Sequence, residues 1–195
     1  MVKYKSDRLM LKLLDKDSIT DEYVSWHNNK ELLKFYSSSG KKFTKDFIID
    51  ELKHYQKSND SFYYGIYYKD DNKLIGNIKI GPISPKHKTS DLVIFIGDIN
   101  YLGKGLAVEG IKLGNKVSFE EHGIRKLFGG MYKSNIASVK AYTRADWVIE
   151  GILKGHYLTD DRAEDRILVA CFNPKYFDNV EIAAKALIIE DVYDF

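Results

Sequence analysis

The hydrophobic positions of this chain change period along its length, and the changes divide it into elements. Residues 8–14, RLMLKLL, carry the apolar run of a first strand. Ser18 or Thr20 then suits the N-cap of a short helix bearing Tyr23, Val24 and Trp26. Ser37-Ser38-Ser39-Gly40 reads as a loop. Thr44 caps a second helix whose Phe47, Ile48, Leu52 and Tyr55 fall on one face. Three strand-like runs follow closely, 61–68, 73–83 and 90–97, broken by Asp70-Asp71-Asn72 and by Pro82 and Pro85. Spacing that tight predicts an antiparallel meander.

From residue 105 the pattern alternates: helix over 105–122, strand over 126–132, helix over 135–145, then strands over 147–158 and 165–172. Strand–helix–strand order implies some parallel pairing. The expected fold is α/β (α+β), with a mixed, mostly antiparallel sheet of about seven strands flanked by helices. Ile182, Ala186 and Ile189 predict that the tail 178–195 is one amphipathic helix laid over a sheet edge. Without repeats, low-complexity tracts or a linker, residues 1–195 read as a single domain, with 174–195 as a helical extension.

Composition narrows the class. The chain has 195 residues, 44% hydrophobic and 30% charged, which suits a folded globular domain. A net charge of +2 without a basic stripe argues against nucleic acid as a partner. The lone Cys171 allows neither an internal disulfide nor a cysteine metal cluster, and its apolar run makes it a core residue. Lys12, Asp15 and Asp17 interrupt the early apolar stretch, against a signal peptide. No run approaches the ~20 apolar residues of a membrane helix. The expected location is the cytoplasm, and the expected state is monomer or homodimer.

The stretch INYLGKGLAVEGIK, 99–112, raises the chemical question. It fails the P-loop pattern, because Gly97 to Gly103 is one residue too long and Lys104 is followed by Gly105. It fails the dinucleotide pattern, because Val108 stands where the third glycine belongs. Two readings stay open. One is a plain strand-to-helix turn. The other is an anion cradle, in which Gly103, Gly105 and Ala107 let a phosphate approach the free N–H groups of the helix start. Gly110 and Gly114, four apart, suggest a helix pressed tightly on a sheet. A second constellation lies in SNIASVKAYTRADW, 134–147, where Asn135, Ser138 and Tyr142 share a helix face.

Taken together, Leu102-Gly103-Lys104-Gly105-Leu106-Ala107 resembles the acetyl-CoA pyrophosphate loop Q/R-x-x-G-x-G/A of the GCN5-related N-acetyltransferases. Asn135, Ser138 and Tyr142, followed by Asp146-Trp147, resemble that superfamily's N-x-x-A-x-x-x-Y-x-x-x-G-F segment. IGDINYLGKGLAVEGIK is similar to the branch of ribosomal-protein alanine N-acetyltransferases. GNIKIGPI, GGMYKSN and EGILKGHY look most like members found with surface-polysaccharide synthesis. Leu102 departs from the usual Gln or Arg, and Asp146 from the usual Gly.

The resemblance implies an acetyl-CoA-dependent N-acetyltransferase working by direct transfer in a ternary complex, with no metal. Tyr142 then donates a proton to the CoA thiolate, and Asn135 and Ser138 hold the pantetheine arm. Phe95 and Ile96 pair with that arm as an added strand would, and residues 102–107 bind the pyrophosphate. Asp91 is the candidate base, with His156 as its rival. Trp26, His27, Tyr36, Asn77, Tyr157 and His156 are candidates for the acceptor site. The acceptor class expected first is a small primary amine, an amino sugar or nucleotide-linked amino sugar. A protein N-terminus and a non-catalytic CoA-binding module are the alternatives.

Overall fold

Alternating burial along the first strands explains how the sheet begins. In the computed structural model, which describes residues 4–36, 40–159 and 161–193, β1 (Tyr4–Lys5) and β2 (Leu9–Leu13) lead into the sheet. Tyr4, Leu9 and Leu11 point into the core, and the residues between them do not. Helices α1 (Asp21–Trp26), α2 (Lys30–Leu33) and α3 (Lys45–Ser58) follow. Thr20 caps α1 by accepting from the Tyr23 N–H, and Thr44 caps α3 by accepting from that of Phe47. The meander β3 (Phe62–Tyr68), β4 (Lys73–Ser84) and β5 (Thr89–Ile96) is antiparallel throughout. Then come α4 (Leu106–Glu120), β6 (Lys126–Tyr132), α5 (Ile136–Thr143), β7 (Val148–Thr159), β8 (Arg162–Phe172) and α6 (Asn179–Lys185).

The strands form one eight-stranded sheet in the order β1-β2-β3-β4-β5-β6-β8-β7. All neighbours are antiparallel except β5 and β6. That parallel pair holds only from Thr89 opposite Lys126 to Asp91 opposite Phe128, although both strands run on. Past Asp91 they diverge into a V, and the facing backbone groups of β5 have no strand partner.

Each face of the sheet carries its own core. On one, α4 and α5 cover Ile66, Ile78, Ile80 and Leu92. On the other, α1 and α3 bury Tyr23, Trp26, Ile48 and Leu52 against Phe95. The two glycines of α4 allow the close approach expected of them. A Cβ on Gly110 would lie 2.7 Å from Ile94 Cδ1, and one on Gly114 2.9 Å from Leu92 Cδ1. Buried Asn115 links α4 to the turn between α5 and β7: its Nδ2 donates to Ala145 O at 3.1 Å, and its Oδ1 accepts from Trp147 Nε1 at 3.0 Å. Asp146 adopts the left-handed φ of 69°, a conformation that favours glycine.

Several expectations need correction. The sheet gains an eighth strand because Tyr4–Lys5 pairs with Met10 and Leu11, a stub too short for periodicity to reveal. Helix α2, capped by Asn29, is one turn long and equally invisible to a periodic pattern. The tail is not one helix. Helix α6 has no buried residue, Leu187 then makes a single bridge to Ile149, and a 3-10 turn spans Ile189–Asp191. Val192 and Tyr193 anchor it instead, 4% and 9% exposed, with Tyr193 Oη donating to Lys133 O at 2.7 Å. The tail meets the edge strand β7 at the Leu187–Ile149 bridge. The Ser37-Ser38-Ser39 part of the expected loop and the last two residues of the tail fall outside the described residues.

Candidate active site

The loop that opens α4 has the shape of an anion cradle. Gly103 and Gly105 have φ of 72° and 74°, values that side chains resist, and together they turn the chain into the helix. Nothing lies within 4 Å of where a Gly103 Cβ would stand. The cap Gly105 supplies no side-chain hydrogen bond, so the first N–H groups of this fifteen-residue helix remain available. Leu102 is 46% exposed at the rim. Lys104 places its ammonium 5.4 Å from the Tyr101 ring. Leu106 is buried, and Ala107 packs against the core. Arg8, which sequence reasoning did not single out, braces the loop from β2's side. Its Nη1 donates to Lys104 O at 3.0 Å, while Nε and Nη2 hold Glu109 Oε2 at 2.8 and 2.7 Å. Glu109 also accepts from Ser6 Oγ and the Arg8 N–H, the structural role its place in the first turn suggests.

The V between β5 and β6 encloses a cavity of about 220 Å3. Leu92, Val93 and Ile94 line one wall and Gly129 to Tyr132 the other, with Asn135, Ser138 and Tyr142 of the α5 region closing the end. The three residues of the second motif thus converge, as their helical spacing requires. Asn135 Oδ1 caps α5 by accepting the Ser138 N–H at 3.2 Å. Tyr142 Oη donates to Leu92 O at 2.9 Å, and the Ile94 N–H bears on the same phenol oxygen. Tyr36 Oη donates to Ile94 O at 2.7 Å. Two phenols therefore serve the backbone groups that β6 abandons. Burial, reinforced by Tyr36 and Asp91 nearby, pushes the Tyr142 phenol well above its ordinary range, so it stays protonated.

A second cavity, about 430 Å3, lies on the opposite face beneath α1 and α3. Tyr23, Phe43, Tyr55, Tyr63 and Phe95 supply aromatic walls; His27, Asn77, Lys79, Glu51 and Lys41 supply polar groups. Asn77 Nδ2 donates to Tyr23 Oη at 2.8 Å. Burial lowers the pKa of His27, whose Nδ1 faces Tyr23 O at 3.0 Å. The two cavities share three lining residues, Tyr36, Asp91 and Val93. Burial raises the Asp91 carboxyl above its usual range, against the Leu92 N–H and the charges of Lys79 and Arg166.

Other expected site residues stand elsewhere. Trp26 lines neither cavity; its indole is buried against Gly97, whose absent Cβ would come within 2.3 Å of it. His156 is exposed on the β7–β8 hairpin, outside both linings, and its Nε2 lies 3.3 Å from Arg166 Nη1. Its neighbours Tyr157 and Arg166 line the V instead. Phe95 and Ile96 lie beyond the walls of the V. The Phe95 ring turns toward His27 and Tyr36, at 5.2 and 5.5 Å between centroids, and Ile96 is buried in the α4-side core. The free edge of β5 facing the V runs through Leu92 and Ile94.

Sequence reasoning also missed Arg166 and the pair Gly129-Gly130. Arg166 lies flat across β6, with Nε only 2.0 Å from where a Gly130 Cβ would be. That Nε is buried without a partner. Two adjacent glycines inside a strand were the available signal, since they mark close approach by another group.

Comparison with known proteins identifies the family. The acetyltransferase (GNAT) domain family matches residues 8–148. The probable N-acetyltransferase YjcK of Bacillus subtilis is 23% identical over 126 residues, 65% of this chain and 70% of that protein. The fold superposes on spermidine N-acetyltransferase from Vibrio cholerae, solved with CoA and spermine, with a TM-score of 0.78 at 19% identity, covering 88% of this chain and 99% of that one. Ribosomal-protein-S5-alanine acetyltransferase from Vibrio fischeri gives 0.75 at 20% identity, covering 90% and 98%. The chain belongs to the GNAT acetyltransferase family. It is an N-acetyltransferase that uses acetyl-CoA as co-substrate and acts on amines. Among the described residues no helix is long and apolar enough to cross a membrane, and no group of three or more His, Cys, Asp or Glu could hold a metal ion.

Proposed function

We propose that acetyl transfer takes place where the two cavities meet, at Tyr36, Asp91 and Val93, with the donor arm in the V and the acceptor amine in the aromatic cavity. The shared lining is the observation that carries this reading, because a direct transfer needs donor and acceptor to meet without solvent between them. The helix start at Gly103–Ala107 holds the pyrophosphate through backbone N–H groups, since Leu102 offers no polar help. The pantetheine arm lies along Leu92 to Ile94 and displaces the phenols from those backbone groups, as an added strand would. Asn135 and Ser138 border its far side.

Acetyl-CoA supplies an activated acyl group; the chain supplies orientation and proton handling. The incoming amine is an ammonium in water, with a pKa near ~10, and must lose a proton before attack. Asp91, half-buried with a raised pKa, is placed to take it. The Ile94 N–H, once released by the Tyr142 phenol, is the donor offered to the oxyanion that forms at the carbonyl. Tyr142, held protonated, offers its O–H as a hydrogen bond to the departing thiolate and keeps its proton, while the second proton shed by the nitrogen after attack converts the thiolate to the thiol. The buried Cys171, its thiol pushed up to about 12 by burial, has no part in this.

The acceptor is a small primary amine. The aromatic walls favour an amino sugar or nucleotide-linked amino sugar, because a sugar ring or base can stack there. Residues 1–195 act as one domain, and 174–195 serve as an extension that props the β7 edge. Calorimetry of acetyl-CoA binding tests the core of this reading. Wild type binds, and folded Gly105→Glu, which puts a carboxylate where the pyrophosphate sits, does not. Equal binding by both proteins would move the cofactor site elsewhere.

A further inference from the structure

The floor of the acceptor cavity carries a cation that, among the described residues, has no ion-pair partner. Lys79 on β4 is half-buried, and among the described residues no carboxylate lies within 4 Å of its ammonium. Its contacts are aromatic faces, Tyr55 at 4.9 Å and Tyr63 at 5.8 Å. Such faces steady a cation without cancelling its charge. Lys79 pairs with Val93 in the β4–β5 register, and Asp91 is two residues before Val93 on the same face. Lys79 and Asp91 are therefore diagonal neighbours, about 7–8 Å apart at their backbones. Of the other charged groups in this cavity, Glu51 is exposed on α3 and Lys41 is exposed on the loop before it, so both belong to the mouth.

From this arrangement we infer that the acceptor carries an anionic group, a phosphate or carboxylate, a few bonds from its reacting amine, and that Lys79 binds it and determines specificity. This rests on the proposed placement of the acceptor. With the amine at Asp91, its diagonal neighbour Lys79 is the cation that a second group of the acceptor would meet on the cavity floor. An anion there gains a charge-assisted hydrogen bond in a partly dry site. A polyamine brings a second cation to the same spot and is repelled. Lys79 therefore disfavours polyamines as acceptors.

The test compares matched amines by CoA release: D-glucosamine with D-glucosamine 6-phosphate, phenylalanine amide with phenylalanine, and spermidine as an all-cation control. The phosphate and carboxylate pairs distinguish the two sources of negative charge. The expected result is a kcat/KM about tenfold or more higher for the anion-bearing member of at least one pair, expressed in KM, with spermidine poorest. Lys79→Gln should collapse that ratio through KM with kcat nearly intact, and Lys79→Arg should restore most of it. Calorimetric binding of the same amines to the CoA complex reads the same preference even without turnover. Equal binding of paired amines, preference for the uncharged member or spermidine, failure of any anion-bearing amine to bind, or equal losses on both members in Lys79→Gln would overturn the inference. If wild type binds acetyl-CoA in those cases, the cofactor assignment survives; if it does not, both fall together.

Discussion

At the scale of single residues, burial acts on Asp91 and Tyr142 in the same direction with different consequences: Asp91 gains basicity, and Tyr142 stays a neutral hydrogen-bond donor. Burial raises the Asp91 carboxyl, so it is a stronger base than an exposed aspartate. Its charged form is needed for catalysis. Activity should thus fall as pH drops through its folded pKa, above the ordinary 3.8, and Asp91→Asn should remove that limb of the kcat/KM profile along with most of the rate. The same shift carries a stability sign. A carboxyl with a raised pKa favours folding when protonated and costs stability once pH rises past that pKa. Asp91→Asn should accordingly melt higher than wild type at pH 7, and the advantage should vanish below the usual carboxylate range; an unchanged melting temperature at both pH values would count against the burial argument. For Tyr142, the phenylalanine variant loses the donor to Leu92 O. We expect a stability loss of about 1 kcal/mol by denaturant titration and a fall in kcat of roughly 10-fold or more, with acetyl-CoA affinity retained.

The elements that place these residues differ in how plainly the sequence announces them. The meander and α4 are legible because their apolar periods are long, and α1, α3 and α5 because their caps, Thr20, Thr44 and Asn135, are strong. The loop Gly103–Ala107 is legible for a different reason: two glycines this close mark backbone turns that side chains resist. Trp26 and His156 were misplaced because residue type says nothing about which side of a helix or hairpin faces a cavity. Lys79 and Arg166 were missed because a single charge inside a strand looks like ordinary alternation until the facing strand is known. The tail misled because Ile182, Ala186 and Ile189 fit a helical period, yet Val192 and Tyr193 do the anchoring. Contacts between strands also set the sharpest element-scale expectation. A Cβ on Gly76 would lie 2.1 Å from Phe95 O, a backbone atom that cannot step aside. Gly76→Ala should therefore loosen β4 from β5 and cost at least ~2 kcal/mol in denaturant titration, with the acceptor cavity, floored by Asn77 and Lys79, suffering first.

Across the whole molecule, the divergence of β5 from β6 is both the site and a weakness. The sheet on the β5 side and the β6-β8-β7 group share three register pairs, Thr89 to Asp91 with Lys126 to Phe128. Beyond them the junction relies on α4, on Phe35, whose ring lies 5.6 Å from that of Tyr132, and on the two phenols that bond β5 carbonyls. A pantetheine arm laid into the gap supplies the backbone partners that the sheet lacks there. Binding to the folded form alone then stabilises it, by about 2.7 kcal/mol at a ligand concentration 100 times Kd. Hydrogen exchange can locate that gain. Amides of Leu92 to Ile94, of Gly129 to Tyr132 and of the Gly103–Ala107 loop should slow most when CoA is added. The β1–β2 pair, on the far edge of the sheet, should change least. Uniform protection would mean that CoA tightens the molecule without bridging the V, and protection confined to the β7–β8 hairpin would place the arm outside it. The predicted pattern, strongest on the two facing walls and at the helix start, follows only if one ligand spans all three.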